Sequence, residues 1–124
     1  MTIDGRSEVV KRKIEGDFEY IKGDFGSLDF IKPLIELHDE IVHMAYTSVP
    51  NTSFDNLLGD LQDNLIPSVQ LFIETAKLGK KLILLSSGGA VYGEQKHEKK
   101  EGENKRPISP YGVTKITLEN YAIL

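Results

Sequence analysis

An α/β domain built on a parallel sheet is the fold class that this 124-residue sequence predicts. Three observations carry the expectation. Short apolar runs alternate with longer stretches of helical period. One run, Lys81-Leu82-Ile83-Leu84-Leu85-Ser86, is largely apolar and bounded by Gly79 and Gly88, as suits a parallel strand covered on both faces. The order is strand, helix, strand, helix, strand, helix, which right-handed crossovers turn into βαβ units.

The elements follow in order. Phe18-Glu19-Tyr20-Ile21-Lys22 largely alternates apolar and polar residues and ends at Gly23-Asp24, so a first strand is expected near 18–22. Ser27 is placed to cap a helix with Phe30, Ile31, Leu34, Ile35 and Leu37 as its apolar stripe. If Asp29 caps it instead, Pro33 falls near the first turn, where proline is tolerated. Residues 40–45 read as a second strand, and 46–52, with Pro50, as a loop. A long helix is expected over 53–78, with Leu57, Leu58, Leu61, Leu65, Val69, Phe72, Ile73 and Ala76 on related faces. Pro67 bends it or marks its middle, and Gly79 ends it as a C-cap. A third strand covers 81–86, a polar charged loop covers 94–107, and 111–124 is helical after Pro110. Ligands of such sheets bind beyond the carboxyl ends of the strands. Here those ends are Gly23-Asp24, residues 44–48 and residues 86–89.

Composition narrows the function classes. Net charge is −4, which disfavours a general nucleic-acid surface. The basic clusters at 11–13 and 96–106 are interleaved with or flanked by glutamates and read as solvated faces. There are no cysteines, which removes disulfides and thiolate metal sites and fits a reducing cytoplasm. His38 and His97 are scattered and imply no metal, and His43 reads as a buried strand histidine with a satisfied ring. Residues 1–8 hold no apolar core of a secretory signal, and no run approaches the roughly 20 apolar residues of a membrane helix.

The strongest chemical signal is Pro110-Tyr111-Gly112-Val113-Thr114-Lys115. Tyr111 and Lys115 are four apart, on one helix face. A phenol is a poor base at neutral pH, its reference pKa being about 10, and a nearby ammonium stabilises the phenolate. Spacing alone equally fits an aromatic at a helix start that packs on the sheet. Tyr92 and Lys96 repeat the spacing, but Gly93 and a loop follow Tyr92, so no helix holds that lysine.

Context adds to the spacing. Leu84-Leu85-Ser86-Ser87-Gly88-Gly89-Ala90-Val91-Tyr92-Gly93 lies upstream, then a polar loop, then Pro107-Ile108-Ser109-Pro110-Tyr111 with Gly112, Lys115 and Glu119. Ile41-Val42-His43-Met44-Ala45 ends an earlier strand, Asn64 lies inside the long helix, and Gly23-Asp24 follows a short strand. In this order and separation the motifs closely resemble the NAD-dependent epimerase/dehydratase family, the extended short-chain dehydrogenase/reductases, and within it the UDP-glucose 4-epimerase branch.

The resemblance implies a partial Rossmann-like, NAD(P)-binding domain over residues 1–124, a parallel sheet with flanking helices. It implies Tyr111 as the catalytic tyrosine that removes the sugar hydroxyl proton, and Lys115 as the lysine that lowers its pKa and holds the nicotinamide ribose. Asp24 and Phe25 match the pair beside the adenine, and Met44, Ala45 and Tyr46 the backbone wall along the dinucleotide. Asn64 matches a polar residue on the cofactor side, and Ser86 a strand-end residue near the nicotinamide. Asp4 matches either the acid that binds the adenine ribose or a terminal acid with no role. NAD, a nucleotide sugar and a homodimer through the helices at 53–78 and from Tyr111 are the implied cofactor, substrate and assembly.

Three departures from the family pattern stand out. No G-x-x-G-x-x-G occurs, so the first βα unit that cradles a pyrophosphate is expected to be lacking. The sequence stops soon after Lys115, so the C-terminal substrate domain is also expected to be lacking and the chain alone inactive. Gly88 occupies the position of the catalytic Ser/Thr, leaving Ser87 as the nearest hydroxyl. Gly89 and Ala90 stand where dehydratases of the family carry an Asp-Glu pair, which favours epimerase or 4-ketoreductase chemistry over dehydration. A non-catalytic oligomerising protein derived from the same fold is the reading from a different class.

Overall fold

The structure is a computed structural model, and it describes residues 19–94, 100 and 102–124. Asp4 and Lys96, together with the Phe18 end of the first expected strand, lie outside the described residues. Helix α1 spans Leu28–Leu37, strand β1 Glu40–His43, and a short 3-10 turn Thr52–Phe54. Helix α2 spans Leu57–Asp60, a π-helical segment Leu61–Leu65, and helix α3 Ile66–Lys77. Strand β2 is Lys81–Leu84, helix α4 Gly88–Tyr92 and helix α5 Pro110–Ile123.

β1 and β2 pair in parallel, Glu40 opposite Lys81 and His43 opposite Leu84. The expected strand at 18–22 appears only as a single bridging residue, Tyr20, so the described sheet has two strands rather than three. Alternation along the strands turns Ile41, His43, Leu82 and Leu84 inward and leaves Val42 and Ile83 exposed. The expectation of cover on both faces is therefore met on one face only among the described residues. Ile31 and Ile35 of α1, Leu71 and Phe72 of α3 and Leu118 of α5 form the core beneath that face.

Local chemistry sets the ends and breaks. Ser27 is the N-cap of α1, contributing its carbonyl to Phe30 and Ile31 at 3.1 and 3.0 Å, though its side chain makes no cap bond. Pro33 sits inside α1, past the first turn, and forfeits the hydrogen bond to Asp29. The long helix expected over 53–78 is broken instead into α2, a π-helical segment and α3. Pro67, lacking an N–H, stands just after the π-helical segment, where the Ile66 amide reaches back to the Leu61 carbonyl. Gly79 closes α3 at φ +62°, and Lys80 N–H returns to the Thr75 carbonyl at 3.0 Å. α4 was not foreseen, being five residues that start with two glycines. It is held by Arg106 N–H on the Val91 carbonyl at 3.0 Å and by the seating of Gly112 against the Ala90 carbonyl.

Leu118 is 0% exposed at the centre of the core. Leu118→Ala is expected to lower stability by about 3 kcal/mol through lost burial and a residual cavity, read as a lower urea midpoint in circular dichroism.

Candidate active site

Helix α5 begins with each early donor occupied. Pro110 has no N–H to satisfy, and the Ser109 hydroxyl accepts from Gly112 N–H at 3.2 Å. The Ser53 hydroxyl accepts from Tyr111 N–H at 3.1 Å and donates to the Pro50 carbonyl at 2.8 Å. Ser53, only 1% exposed, thus fixes the backbone of Tyr111 from the 3-10 turn. One turn later the Lys115 ammonium reaches the carboxyl end of β2 and donates to the Leu85 carbonyl at 2.9 Å. It stands 4.3 Å over the centre of the Tyr46 ring and 5.7 Å from that of Tyr111. The two rings meet edge to face at 4.8 Å and 71°.

Tyr46, Tyr111 and Lys115 therefore converge, with the Tyr46 ring, expected only as part of a backbone wall, packed on both. Burial pushes the Tyr46 phenol well above its ordinary range, and Asp60 and Tyr111 add to the push while Thr114 opposes it. Burial lowers Lys115, and Asp60 and Glu119 work against that fall. The other expected residues are more dispersed. Ser86 donates to Glu119, whose second oxygen pairs with Lys105 at 2.6 Å. Burial raises Glu119, but hydrogen bonds from Lys105 and Ser86 carry the net shift below the usual carboxylate range. Ser87 is the N-cap of α4, half-buried and without a cap bond from its side chain. A Cβ built on Gly88 or Gly89 meets no atom within 4 Å, so this edge is open.

Asn64 is 1% exposed and saturated by its neighbours. Its Oδ1 accepts from the Thr47 amide at 2.8 Å and hydroxyl at 3.1 Å, and its Nδ2 donates to Asp60 at 3.2 Å. It clamps the loop after β1 to the π-helical segment. Phe25 stacks on His43 at 5.1 Å and packs on the core, while Asp24 folds onto Gly26 N–H at 2.8 Å in an exposed turn. Met44 is exposed and Ala45 half-buried at the end of β1. Sequence reading missed Ser53, Asp60 and Thr114, since serine, threonine and a lone acid in a helical stretch carry no motif. Among the described residues no group of His, Cys, Asp or Glu is placed to hold a metal, and no helix is long and apolar enough to cross a membrane.

His43 is buried as the sequence suggested. Ser68 Oγ donates to the Asn64 carbonyl at 2.5 Å, so its 2.7 Å contact with His43 Nε2 makes that nitrogen the donor. Nδ1 is left without a hydrogen-bond partner, so the ring is only half satisfied, contrary to the expectation: Phe25 and Phe72, whose rings pack on it, offer no N–H or O–H donor. Burial, helped by the Lys115 charge, lowers the imidazole from 6.5 to about 4.

The fold is thus of the Rossmann-like α/β class, with a Tyr–Lys pair at the carboxyl edge of its parallel sheet. The chain belongs to the NAD dependent epimerase/dehydratase family, which it matches over residues 1–123. It is 29% identical over 106 residues to UDP-glucose 4-epimerase 3 of Oryza sativa, covering 83% of this chain and 28% of that protein. It is 30% identical over 106 residues to the dTDP-4-dehydro-6-deoxyglucose reductase of Escherichia coli, covering 78% of this chain and 34% of that one. The structure of MoeE5 in complex with UDP-glucuronic acid and NAD superposes with a TM-score of 0.79 at 28% identity, over 87% of this chain and 36% of that one. The chain thus spans about a third of the length of the proteins it matches.

Because the folded state holds His43 neutral, its contribution to stability is fully present above the ordinary pKa of 6.5 and is lost as pH falls toward about 4. The loss should be on the order of 3 kcal/mol. Urea denaturation between pH 7 and 4 should show it, and His43→Leu should remove that part of the slope.

Proposed function

We propose that this chain is the cofactor-side part of a nucleotide-sugar 4-epimerase acting on UDP-glucose or a close relative. The observation that carries the reading is the placing of Lys115 at the Leu85 carbonyl, beside both the Tyr46 and Tyr111 rings. Tyr111 receives the proton of the sugar C4 hydroxyl and returns it after the sugar has presented its other face. Lys115, with one proton on Leu85, keeps two more for a ribose hydroxyl and holds a positive charge beside the phenol. The residues present fit NAD in part. The glycine edge at 88–89 is open at the end of β2, and Met44 is exposed at the end of β1, where Met44, Ala45 and Tyr46 would line the dinucleotide. Asp24 and Phe25 would stand at its adenine end, and Asn64 and Ser86 would act through their neighbours. When bound, NAD supplies hydride removal and return at C4.

The Escherichia coli relative supports a second reading, 4-ketoreduction, in which Tyr111 gives its proton to the ketone instead. Gly89 and Ala90 offer no carboxylate for eliminating water. Exposed Leu57, Leu58, Leu61 and Val113, on α2, the π-helical segment and α5, support a homodimer through these helices. The cytoplasm is the compartment that suits a cysteine-free member of this family.

A chimera tests the chemistry. Residues 1–123 replacing the matching stretch of a UDP-glucose 4-epimerase should turn over UDP-galactose, and Tyr111→Phe should abolish it. Absence of turnover in a folded chimera would remove the reading. Gly88→Ser, which the open space accepts, should raise the rate roughly 10²-fold, the low end of what a positioned proton-transfer group contributes.

The 124 residues on their own hold no G-x-x-G-x-x-G to grip a pyrophosphate. Titration calorimetry with NAD should give a dissociation constant near the millimolar end of the scale, about −4 kcal/mol, and no turnover. Micromolar binding would overturn this.

A further inference from the structure

Asp60 is 3% exposed, yet its carboxylate accepts from four side chains on different elements. Oδ2 takes Thr114 Oγ1 at 2.6 Å and the Tyr46 hydroxyl at 3.4 Å. Oδ1 takes Asn64 Nδ2 at 3.2 Å and the hydroxyl of Ser48. All four partners donate, so the group is an acceptor throughout, as a carboxylate is. Among the described residues no lysine or arginine forms an ion pair with it. A buried charge without a cation in contact is costly unless its field is used or fully hydrogen-bonded.

The field has a receiver one step away. Tyr46 gives its hydroxyl to Asp60 while its ring face lies 4.3 Å beneath the Lys115 ammonium. Donation to a carboxylate pushes electron density into the phenol ring, which deepens the negative face that attracts a cation. Thr114, the second bridge, is the residue before Lys115, so the same carboxylate also sets the rotation of α5. We propose that Asp60 is the positioning residue of the Tyr111–Lys115 pair: through Tyr46 and Thr114 it holds Lys115 as an ammonium over Tyr46 and beside Tyr111. The inference rests on the reading of Tyr111 and Lys115 as the reacting pair.

Lys115 is faced by Asp60 from α2, Tyr46 from the loop after β1, His43 from β1, and Tyr111 and Glu119 from its own helix. His43 is neutral near pH 7. Burial drives Lys115 toward the free amine, and Asp60 is first among the charges that oppose it.

The test is the titration of Lys115 in the full chain, without NAD or sugar. Lysine labelled with ¹³C at Cε reports it, and Lys115→Arg assigns the resonance. Asp60→Asn keeps the shape and removes the charge. The Lys115 midpoint should fall by about one pH unit or more, a tenfold loss of proton affinity. A purely structural role would lower the melting temperature and leave the midpoint in place, and that result would overturn the proposal. Should Asp60→Asn not fold, Tyr46→Phe keeps the ring and removes the relay hydroxyl. The midpoint should then fall by about half a unit, and an unchanged midpoint would overturn the proposal. Because no substrate is present, a failed chimera leaves this measurement standing. An active chimera with an unmoved Lys115 would remove Asp60 alone.

Discussion

Parallel pairing of Glu40–His43 with Lys81–Leu84 is the constraint from which the site follows. Parallel strands cannot be joined by a tight turn, so the chain between them must climb back along the sheet. Here it does so through the 3-10 turn, α2, the π-helical segment and α3. Both strands then deliver their following residues, Met44–Thr47 and Leu85–Ser87, to one edge. Leu85 N–H, bonded to the His43 carbonyl at 3.2 Å, continues the ladder past the last strand pair and holds the two exits together. The Leu85 carbonyl that receives Lys115 belongs to the same residue. The lysine is therefore placed by the sheet as well as by its own helix.

Polar burial does more to position the site than apolar burial. The buried apolar side chains are Ile31, Ile35, Leu71, Phe72, Ala90, Val91 and Leu118, a small core lying mostly beneath the sheet. Buried polar groups run instead from Ser68 and His43 through Asn64 and Asp60 to Thr114 and Lys115. Apolar packing tolerates sliding, since it is not directional. Hydrogen bonds to buried groups do not, because an unmade one costs about 1–3 kcal/mol. The long exit from β1 is thus pinned at Thr47 by Asn64 and at Ser48 by Asp60. α5 is pinned at Tyr111 by Ser53 and at Thr114 by Asp60. The π-helical segment lies where Asp60 and Asn64 both turn inward, and its wider i→i+5 turn, ahead of Pro67, accommodates that.

What was legible in the sequence were the features that periodicity and short motifs record. The strands expected over 40–45 and 81–86, the helix after Pro110, the Gly79 cap and the tyrosine–lysine turn all have local signatures; the strands are observed at 40–43 and 81–84, and the helix and the cap are present. Of the first strand, expected near 18–22, only Tyr20 is a bridging residue among the described residues, since pairing is a property of a partner strand as well as of alternation. α4 was missed because Gly88-Gly89 argues against a helix, and tertiary contacts at Val91, Gly93 and Gly112 supply what propensity lacks. Gly93 shows the scale of that constraint: it stands at φ +66°, with the Arg106 carbonyl 2.2 Å from where a Cβ would be. Asn64 was expected from its match to a cofactor-side residue, and its bonds to Thr47 and Asp60 are what the motif did not announce. Asp60 was invisible because three of its four partners, Ser48, Tyr46 and Thr114, lie 12, 14 and 54 residues away on other elements.

Two phenols lie beside one ammonium, and their surroundings separate their roles. Tyr46 is closer to Lys115, which taken alone would favour its phenolate. Its hydroxyl also donates a hydrogen bond to the Asp60 carboxylate, and removing that proton would set two negative charges side by side. Burial adds to the cost, and the Tyr46 phenol is driven up rather than down. Its ring is consequently a support, an aromatic face for Lys115 and an edge for Tyr111. Tyr111 has its backbone fixed by Ser53 and its ring held at 71° to this support. The open glycine edge at 88–89 adds no carboxylate. What separates the two phenols is therefore where Asp60 is: its carboxylate accepts from the Tyr46 hydroxyl, while Tyr111 is tied to Lys115 by their four-residue spacing on one helix.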